Sequence, residues 1–192
     1  MDRQHQQVKD RVRDLEGEIS VLGYVGQFFR HMIDSEILKT VTGVADLQTE
    51  GLREIFFDQK IKIVPEIEES RGKISVRFKV HHEKEDALIE GDPKDFGGSI
   101  QIMMSILLRI AVIFKRGLRP ILVLDETLHA VADEYKDRAV EFLSILSERM
   151  GLDILMVSHE DTILSKATNA YSVGTKNGAT IFKPLCNQRK KR

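Results

Sequence analysis

The 192 residues carry 29 Lys plus Arg against 30 Asp plus Glu, 42% apolar residues, one Cys and no Trp, the composition of one ordinary soluble domain. A chain of this length buries roughly 70% of the surface its unfolded form exposes, so its core requires no disulfide or structural metal, and the lone Cys186 supplies neither a bridge nor a zinc cage. The longest uncharged stretch, Phe96 to Leu108, holds 13 residues, short of the roughly 18 apolar residues of a membrane span. The start, MDRQHQQVKD, is polar and does not read as a signal peptide, so the expected setting is reducing and cytoplasmic, without a membrane. A net charge of −1 gives no bulk attraction to nucleic acid, yet the charge is uneven. Residues 162–192 hold seven Lys or Arg and no acid, which leaves −8 for the first 161. A basic tail of this kind is first a solvated terminus and only second a phosphate-contacting arm.

In chain order, Val8, Val12, Leu15, Ile19, Leu22, Phe29 and Ile33 step by fours and threes, with Gly26 in one slot. This is a coiled-coil seam of about three heptads with charges on its other faces. Gly17, Gly23 and Gly26 weaken the helix by up to ~1 kcal/mol each relative to Ala, so the helix calls for a partner, either another helix or its own domain. A shorter helix is expected after Thr42-Gly43, to about Phe57. The period then changes to alternation: Ile61, Ile63 and Ile67, a turn at Glu69-Ser70-Arg71-Gly72, then Ile74, Val76, Phe78 and Val80. That is a hairpin with one wet face. Residues 81–95, charged and containing Gly91-Asp92-Pro93, read as an exposed loop.

From Ile100 to Phe114 the chain is apolar almost all round, as in a helix buried on every side. Pro120 opens the aliphatic run Ile121–Leu124, which ends in Asp125-Glu126. A helix over Asp133–Met150 follows, closed by Gly151, and a second run, Ile154–Val157, ends in Ser158-His159-Glu160. Short buried strands alternating with helices predict an α/β fold with a mostly parallel sheet flanked by helices. Tyr171–Val173 and Ala179–Phe182 read as a small hairpin around Asn177-Gly178.

In such a sheet, ligands bind at the carboxyl ends of strands. Two adjacent carboxylates there, Asp125 and Glu126, point different ways, so one can hold Mg²⁺ while the other polarises a water. Four aliphatics followed by Asp-Glu is the Walker B pattern, although an apolar strand ending in acids also arises by chance. The second strand delivers His159, an imidazole within reach of a terminal phosphate or simply a loop residue. The two ends, some 33 residues apart with one helix between them, are more specific together than singly. Ahead of the apolar helix stands Asp95-Phe96-Gly97-Gly98-Ser99, where glycines at a helix N-terminus let backbone N–H groups approach a phosphate. A double glycine is equally a plain loop-to-helix junction.

The order FGGSIQIMMSILLRIAVI, PILVLDE, helix, ILMVSHE resembles the C-terminal lobe of the ABC-type, P-loop NTPase-like ATPase heads of the SMC, RecF and SbcC group. It is most similar to phage-encoded SbcC-like DNA-repair ATPases. The resemblance spans roughly residues 60–183, and the N-terminal heptads fit the returning arm of the coiled coil that interrupts such heads. It implies an arm stub over 1–42 and the lobe over 43–192. It also implies Asp125 as the Mg²⁺ ligand, Glu126 as the group that activates water, and His159 as the switch histidine near the γ-phosphate. Phe96, Gly97, Gly98 and Ser99 would be the signature loop that clamps ATP held by an opposing head. The implied partners are an N-terminal lobe with a Walker A motif, a second head, an SbcD-type nuclease and double-stranded DNA.

The chain departs from the pattern in three places. Depending on register, Phe96 or Gly97 stands where the signature serine belongs, with Ser99 the nearest hydroxyl. The loop after Glu126, Thr127-Leu128-His129-Ala130-Val131-Ala132, has neither Pro nor Asp, and Asp133 comes one residue late. No G-x-x-x-x-G-K-[ST] occurs. That loop supplies most of the hold on the β- and γ-phosphates, so this sequence is expected to be half of a site, either part of a longer chain or a separately encoded half. Two readings compete with an ATPase half: a degenerate lobe kept as an interaction or regulatory module, and a transporter nucleotide-binding half, which the coiled-coil entry disfavours.

Overall fold

The computed structural model describes residues 2–70, 73–84 and 87–187, and the chain divides into two compact units, Met1–Gly43 and Val44–Arg192. The turn residues Arg71-Gly72 and the tail Arg189–Arg192 lie outside the described residues.

Helix α1 runs unbroken over Asp2–Ile55, so the expected interruption at Thr42-Gly43 does not occur. Gly43 meets no atom within 4 Å of an added Cβ, and one glycine costs a helix only about 1 kcal/mol, too little to end one whose following turns are held by packing. In the first unit the heptad positions Val8, Val12, Leu15, Ile19, Leu22, Phe29 and Ile33 are all exposed.

In the second unit, Ala45, Leu52 and Ile55 of α1 and Phe56 just after it are all buried. Strands β1 (Lys60–Ser70), β2 (Lys73–Lys84) and β3 (Ala87–Gly91) form an antiparallel sheet in that order. The hairpin is longer than its alternation suggested, and 81–95 is not a loop: β2 continues to Lys84, and His81 and His82 pair with Glu90 and Ile89 of β3. Cross-strand pairs such as Lys60–Glu83 and His81–Glu90 let so charged a segment form strands. Buried Thr49 joins α1 to this sheet, its Oγ1 accepting the Ile63 N–H at 2.9 Å.

A short 3-10 turn at Pro93–Phe96 leads into α2 (Gly98–Lys115). Its Ile100, Met103, Met104, Ile106, Leu107 and Ile110 are buried, whereas Leu108, Val112 and Phe114 are exposed. The helix is therefore one-sided rather than buried all round. Of the described helices, α2 alone has the length and apolar content to cross a membrane, but its buried face is the centre of this core. Strand β4 (Ile121–Asp125), helix α3 (Asp133–Met150) and strand β5 (Asp153–Val157) follow, and β4 and β5 pair in parallel. Gly151 adopts φ 63° and closes α3 as a left-handed cap. Helix α4 (Asp161–Lys166) and the antiparallel hairpin of β6 (Asn169–Lys176) and β7 (Ala179–Asn187) complete the described chain, with Asn177-Gly178 at the turn.

The expected mostly parallel sheet is thus a single parallel pair, since two of the three sheets are antiparallel. Hairpins close locally, whereas parallel neighbours require crossovers, and the described chain provides one such crossover, α3.

Among the described residues, one buried polar group lacks a full set of partners. Gln48 donates from Nε2 to the Met104 carbonyl at 3.0 Å, while its buried Oε1 accepts nothing. An unsatisfied buried acceptor costs roughly 1–3 kcal/mol. Gln48→Met, of similar shape, is expected to leave stability unchanged or raise it by about 1 kcal/mol in urea unfolding. Leu107→Ala, deleting a fully buried side chain, is expected to lower stability by about 2–5 kcal/mol in the same assay.

Candidate functional site

The site begins with the parallel register. Asp125 stands opposite Val157, so the residues that follow, Glu126 on one strand and Ser158-His159 on the other, emerge side by side. The Glu126 N–H donates to the Val157 carbonyl at 3.0 Å and extends the pairing by one residue. There the chain bends, with Glu126 at φ 47°, ψ 18°. A left-handed backbone at a residue other than glycine costs about 1–2 kcal/mol, and it persists where the surroundings fix it.

The His159 Nδ1 lies 2.9 Å from Glu126 Oε1. An ionised carboxylate only accepts, so Nδ1 carries the proton and Nε2 is left for another partner. The hydrogen bond to Glu126, with its charge, raises the His159 pKa above the usual histidine value. Both side chains are substantially exposed, so solvent screens the pair.

A second carboxylate–imidazole pair crosses the same gap in the opposite sense. His129 belongs to the 3-10 turn Thr127–Ala130 after β4, and its Nδ1 lies 3.1 Å from Oε1 of Glu160 after β5. The two rings are 5.6 Å apart at 43°. Glu160 is largely buried and also accepts from Lys136 Nζ at 2.9 Å, while Lys136, whose side chain is 9% exposed, also reaches Asp133 at 2.9 Å. Hydrogen bonds to Glu160 first and Asp133 second raise the Lys136 pKa. Lys136 in turn holds the Glu160 carboxyl below the usual glutamate range, with His129 contributing less.

Asp125 is exposed at the strand end. Among the described residues no cluster of three or more His, Cys, Asp or Glu forms a metal cage. A single carboxylate nevertheless suits Mg²⁺, which keeps several waters and takes its remaining ligands from substrate phosphates.

The Phe96–Ser99 stretch divides in its contacts. Phe96 is half-buried, packing on the core and, edge-on, near the His82 ring at 6.2 Å. Gly97 takes φ 100°, which glycine alone adopts readily, and opens α2. Gly97 and Gly98 are exposed. Ser99 Oγ accepts the Ala132 N–H at 2.9 Å, tying this stretch to the start of α3. The Lys79–Asp92 ion pair at 2.8 Å and the Asp92 N–H bond to Asp95 hold the preceding turn.

The structure therefore brings Asp125, Glu126 and His159 to one strand edge, with Phe96–Ser99 at the mouth of the neighbouring helix. Sequence reasoning missed His129, Lys136 and Glu160. One signal was legible: Lys136 falls with Ala139, Val140 and Leu143 on the apolar stripe of α3, where a lysine needs partners.

No protein-family profile matches the chain, and no curated protein does. Solved structures do. The Smc head domain with an extended coiled coil from Pyrococcus furiosus aligns at a TM-score of 0.69 and 13% identity, over 96% of this chain and 45% of that one. The fold is similar to that of SMC head domains. The SMC head domain from Thermotoga maritima aligns at 0.53 and 16%, over 74% of this chain and 47% of that one. A structure described for ATP-driven dimerization and DNA-stimulated activation of SMC ATPases aligns at 0.62 and 10%, over 79% and 89%. The chain thus spans under half the length of two of these three SMC neighbours.

Because Glu126 raises the His159 pKa, the pair contributes most below the ordinary histidine value, and its contribution fades as pH rises through the raised one. Glu126→Gln is expected to move the His159 titration midpoint down towards that of an unperturbed histidine, as read by NMR of its ring protons. An unmoved midpoint would contradict the pairing.

Proposed function

We propose that the chain is the C-terminal lobe, residues 43–192, of an SMC-like ATPase head, preceded by an arm stub over 1–42. It supplies the water-activating and Mg²⁺-binding residues and the signature loop, and a lobe with a Walker A motif completes the nucleotide site. The observation that carries the reading is the Glu126–His159 pair at the joined ends of two parallel strands, one residue from Asp125. Bound Mg²⁺ would neutralise phosphate charge. Asp125 offers it one oxygen. Glu126, with Oε1 on His159, retains Oε2 to take a proton from the attacking water. His159 steadies that carboxylate and, in its imidazolium form, which Glu126 favours, presents Nε2–H to the terminal phosphate. Gly97 and Gly98, with the first N–H groups of α2, contact nucleotide held by a second head.

The need for a further lobe has physical support in the β4–β5 pair. Its inner face, Leu122, Leu124, Ile154 and Met156, packs on the core, whereas Ile121, Val123, Leu155 and Val157 on the other face are 44–59% exposed. A parallel pair apolar on both faces is built to be covered on both. An N-terminal lobe is the occupant we assign to that face, and a partner helix is the one we assign to the exposed heptad seam of α1.

A role in DNA repair or recombination in the cytoplasm, with an SbcD-type nuclease and double-stranded DNA, extends this reading. Arg77 and Lys79 of the hairpin already pair with Glu68 and Asp92, which leaves Lys73 and the tail Arg189–Arg192 as the better phosphate contacts. Removing the tail should flatten the salt dependence of DNA binding.

One observation favours the degenerate module. Phe96 packs on the core of its own lobe and Ser99 Oγ accepts the Ala132 N–H, so the single serine of the signature stretch is tied to its own lobe and keeps only its O–H for an outside acceptor. Mixing the chain with a Walker A lobe separates the two readings. ATP turnover should appear, and Glu126→Gln should reduce it by about 100-fold or more while ATP-dependent dimerisation persists. Absence of turnover, with an Asp125→Ala, Glu126→Gln double variant that pairs like the wild type, would replace the ATPase reading with the interaction module.

A further inference from the structure

The crossed second pair has no task in the mechanism above, yet it is the better buried of the two. Glu126 and His159 are both open to solvent, and one contact of 2.9 Å joins them. An exposed pair of this kind does not hold two loops at a fixed spacing by itself. Glu160 and Lys136 are different: their side chains are 15% and 9% exposed, and their contact is 2.9 Å. A buried ammonium keeps its charge only while its carboxylates stay in place. Lys136 is therefore a fixed point, set on α3 by the apolar contacts of that helix.

From that point the connections run to both members of the exposed pair. Glu160 is the residue after His159, so anchoring its carboxylate anchors the backbone that carries the imidazole. Its other oxygen binds His129, which lies in the turn that begins immediately after Glu126. The His129 ring also stands 5.6 Å from the His159 ring and limits where it can swing. The loop after β4 and the loop after β5 are thus clamped by a buried ion pair and a second imidazole.

We infer that Lys136, Glu160 and His129 are positioning residues that hold Glu126 and His159 in hydrogen-bonding register across the ends of β4 and β5. The inference rests on the ATPase reading only for the chemical task given to Glu126 and His159. The register itself is a property of the chain alone and is tested without nucleotide.

The test uses the full chain and its imidazole ¹H–¹⁵N NMR spectrum at a pH where His159 is protonated. In the wild type, the His159 Nδ1–H signal should be protected from exchange with water, and cross-peaks should connect the His129 and His159 rings. His129→Ala and Glu160→Gln should each abolish the protected His159 signal while the backbone amide spectrum of α2 stays unchanged. Lys136→Met should do the same, and if it fails to fold, the two milder variants carry the test. Lys166→Ala, which breaks another ion pair between α4 and α3, to Asp137, serves as the control and should leave the signal intact. A His159 signal that persists in both His129→Ala and Glu160→Gln would overturn the inference, as would its loss in Lys166→Ala. Loss of the signal in the positioning variants without any ATP turnover in the reconstituted head would sink the ATPase reading and leave the clamp standing.

Discussion

The pairing of β4 with β5 is the constraint on which the rest of the second unit depends. Parallel strands put both carboxyl ends at the same edge, so one register decides that Asp125 stands opposite Val157 and that Glu126 and His159 meet. The same pairing presents Leu122 and Leu124 to the core while leaving Ile121 and Val123 bare. A slip of one residue would invert both faces and separate the polar ends. The polar edge and the bare apolar face therefore come from one interaction: the pair that assembles the first also leaves Ile121, Val123, Leu155 and Val157 uncovered among the described residues.

Around that pair the lobe is stabilised unevenly. Leu107, Ile106 and Met103 of α2, together with Leu52 and Ile55 at the end of α1 and Phe56 just beyond it, form a fully buried centre, each side chain worth about 1.5–3 kcal/mol by burial. The polar edge has no such support. It relies on short hydrogen bonds, a left-handed residue at Glu126, and one buried ammonium with two carboxylates. A well-packed core thus lies beneath an exposed edge that carries backbone strain at Glu126.

Much of this was legible in the chain. Asp133–Met150 and its glycine cap, the two aliphatic strands with their polar ends, and the hairpin at Asn177-Gly178 follow from period and turn chemistry. Three features were not. Strand β3 hides in a charged segment because its stability comes from partners on β2 rather than from its own alternation. The continuity of α1 through Gly43 reflects packing downstream, which a local propensity does not register. The apolar run of α2 suggested burial all round, but composition cannot say which face of the helix packs on the core. Asp125, Glu126 and His159 are legible because each stands at or just after the end of an aliphatic strand. Their support was missed because the His129–Glu160 and Lys136–Glu160 contacts join residues from different loops and helices, with no spacing to announce them.

In the reading proposed above, this chain holds one half of a nucleotide site. An ATP-binding titration measures it most directly, run on the chain alone and again with an N-terminal lobe that carries the phosphate-cradling loop. The account predicts no saturable binding by the chain alone and saturable, Mg²⁺-dependent binding by the mixture that exceeds that of the added lobe. Tight binding by the chain alone, or a mixture no better than the added lobe, would contradict it.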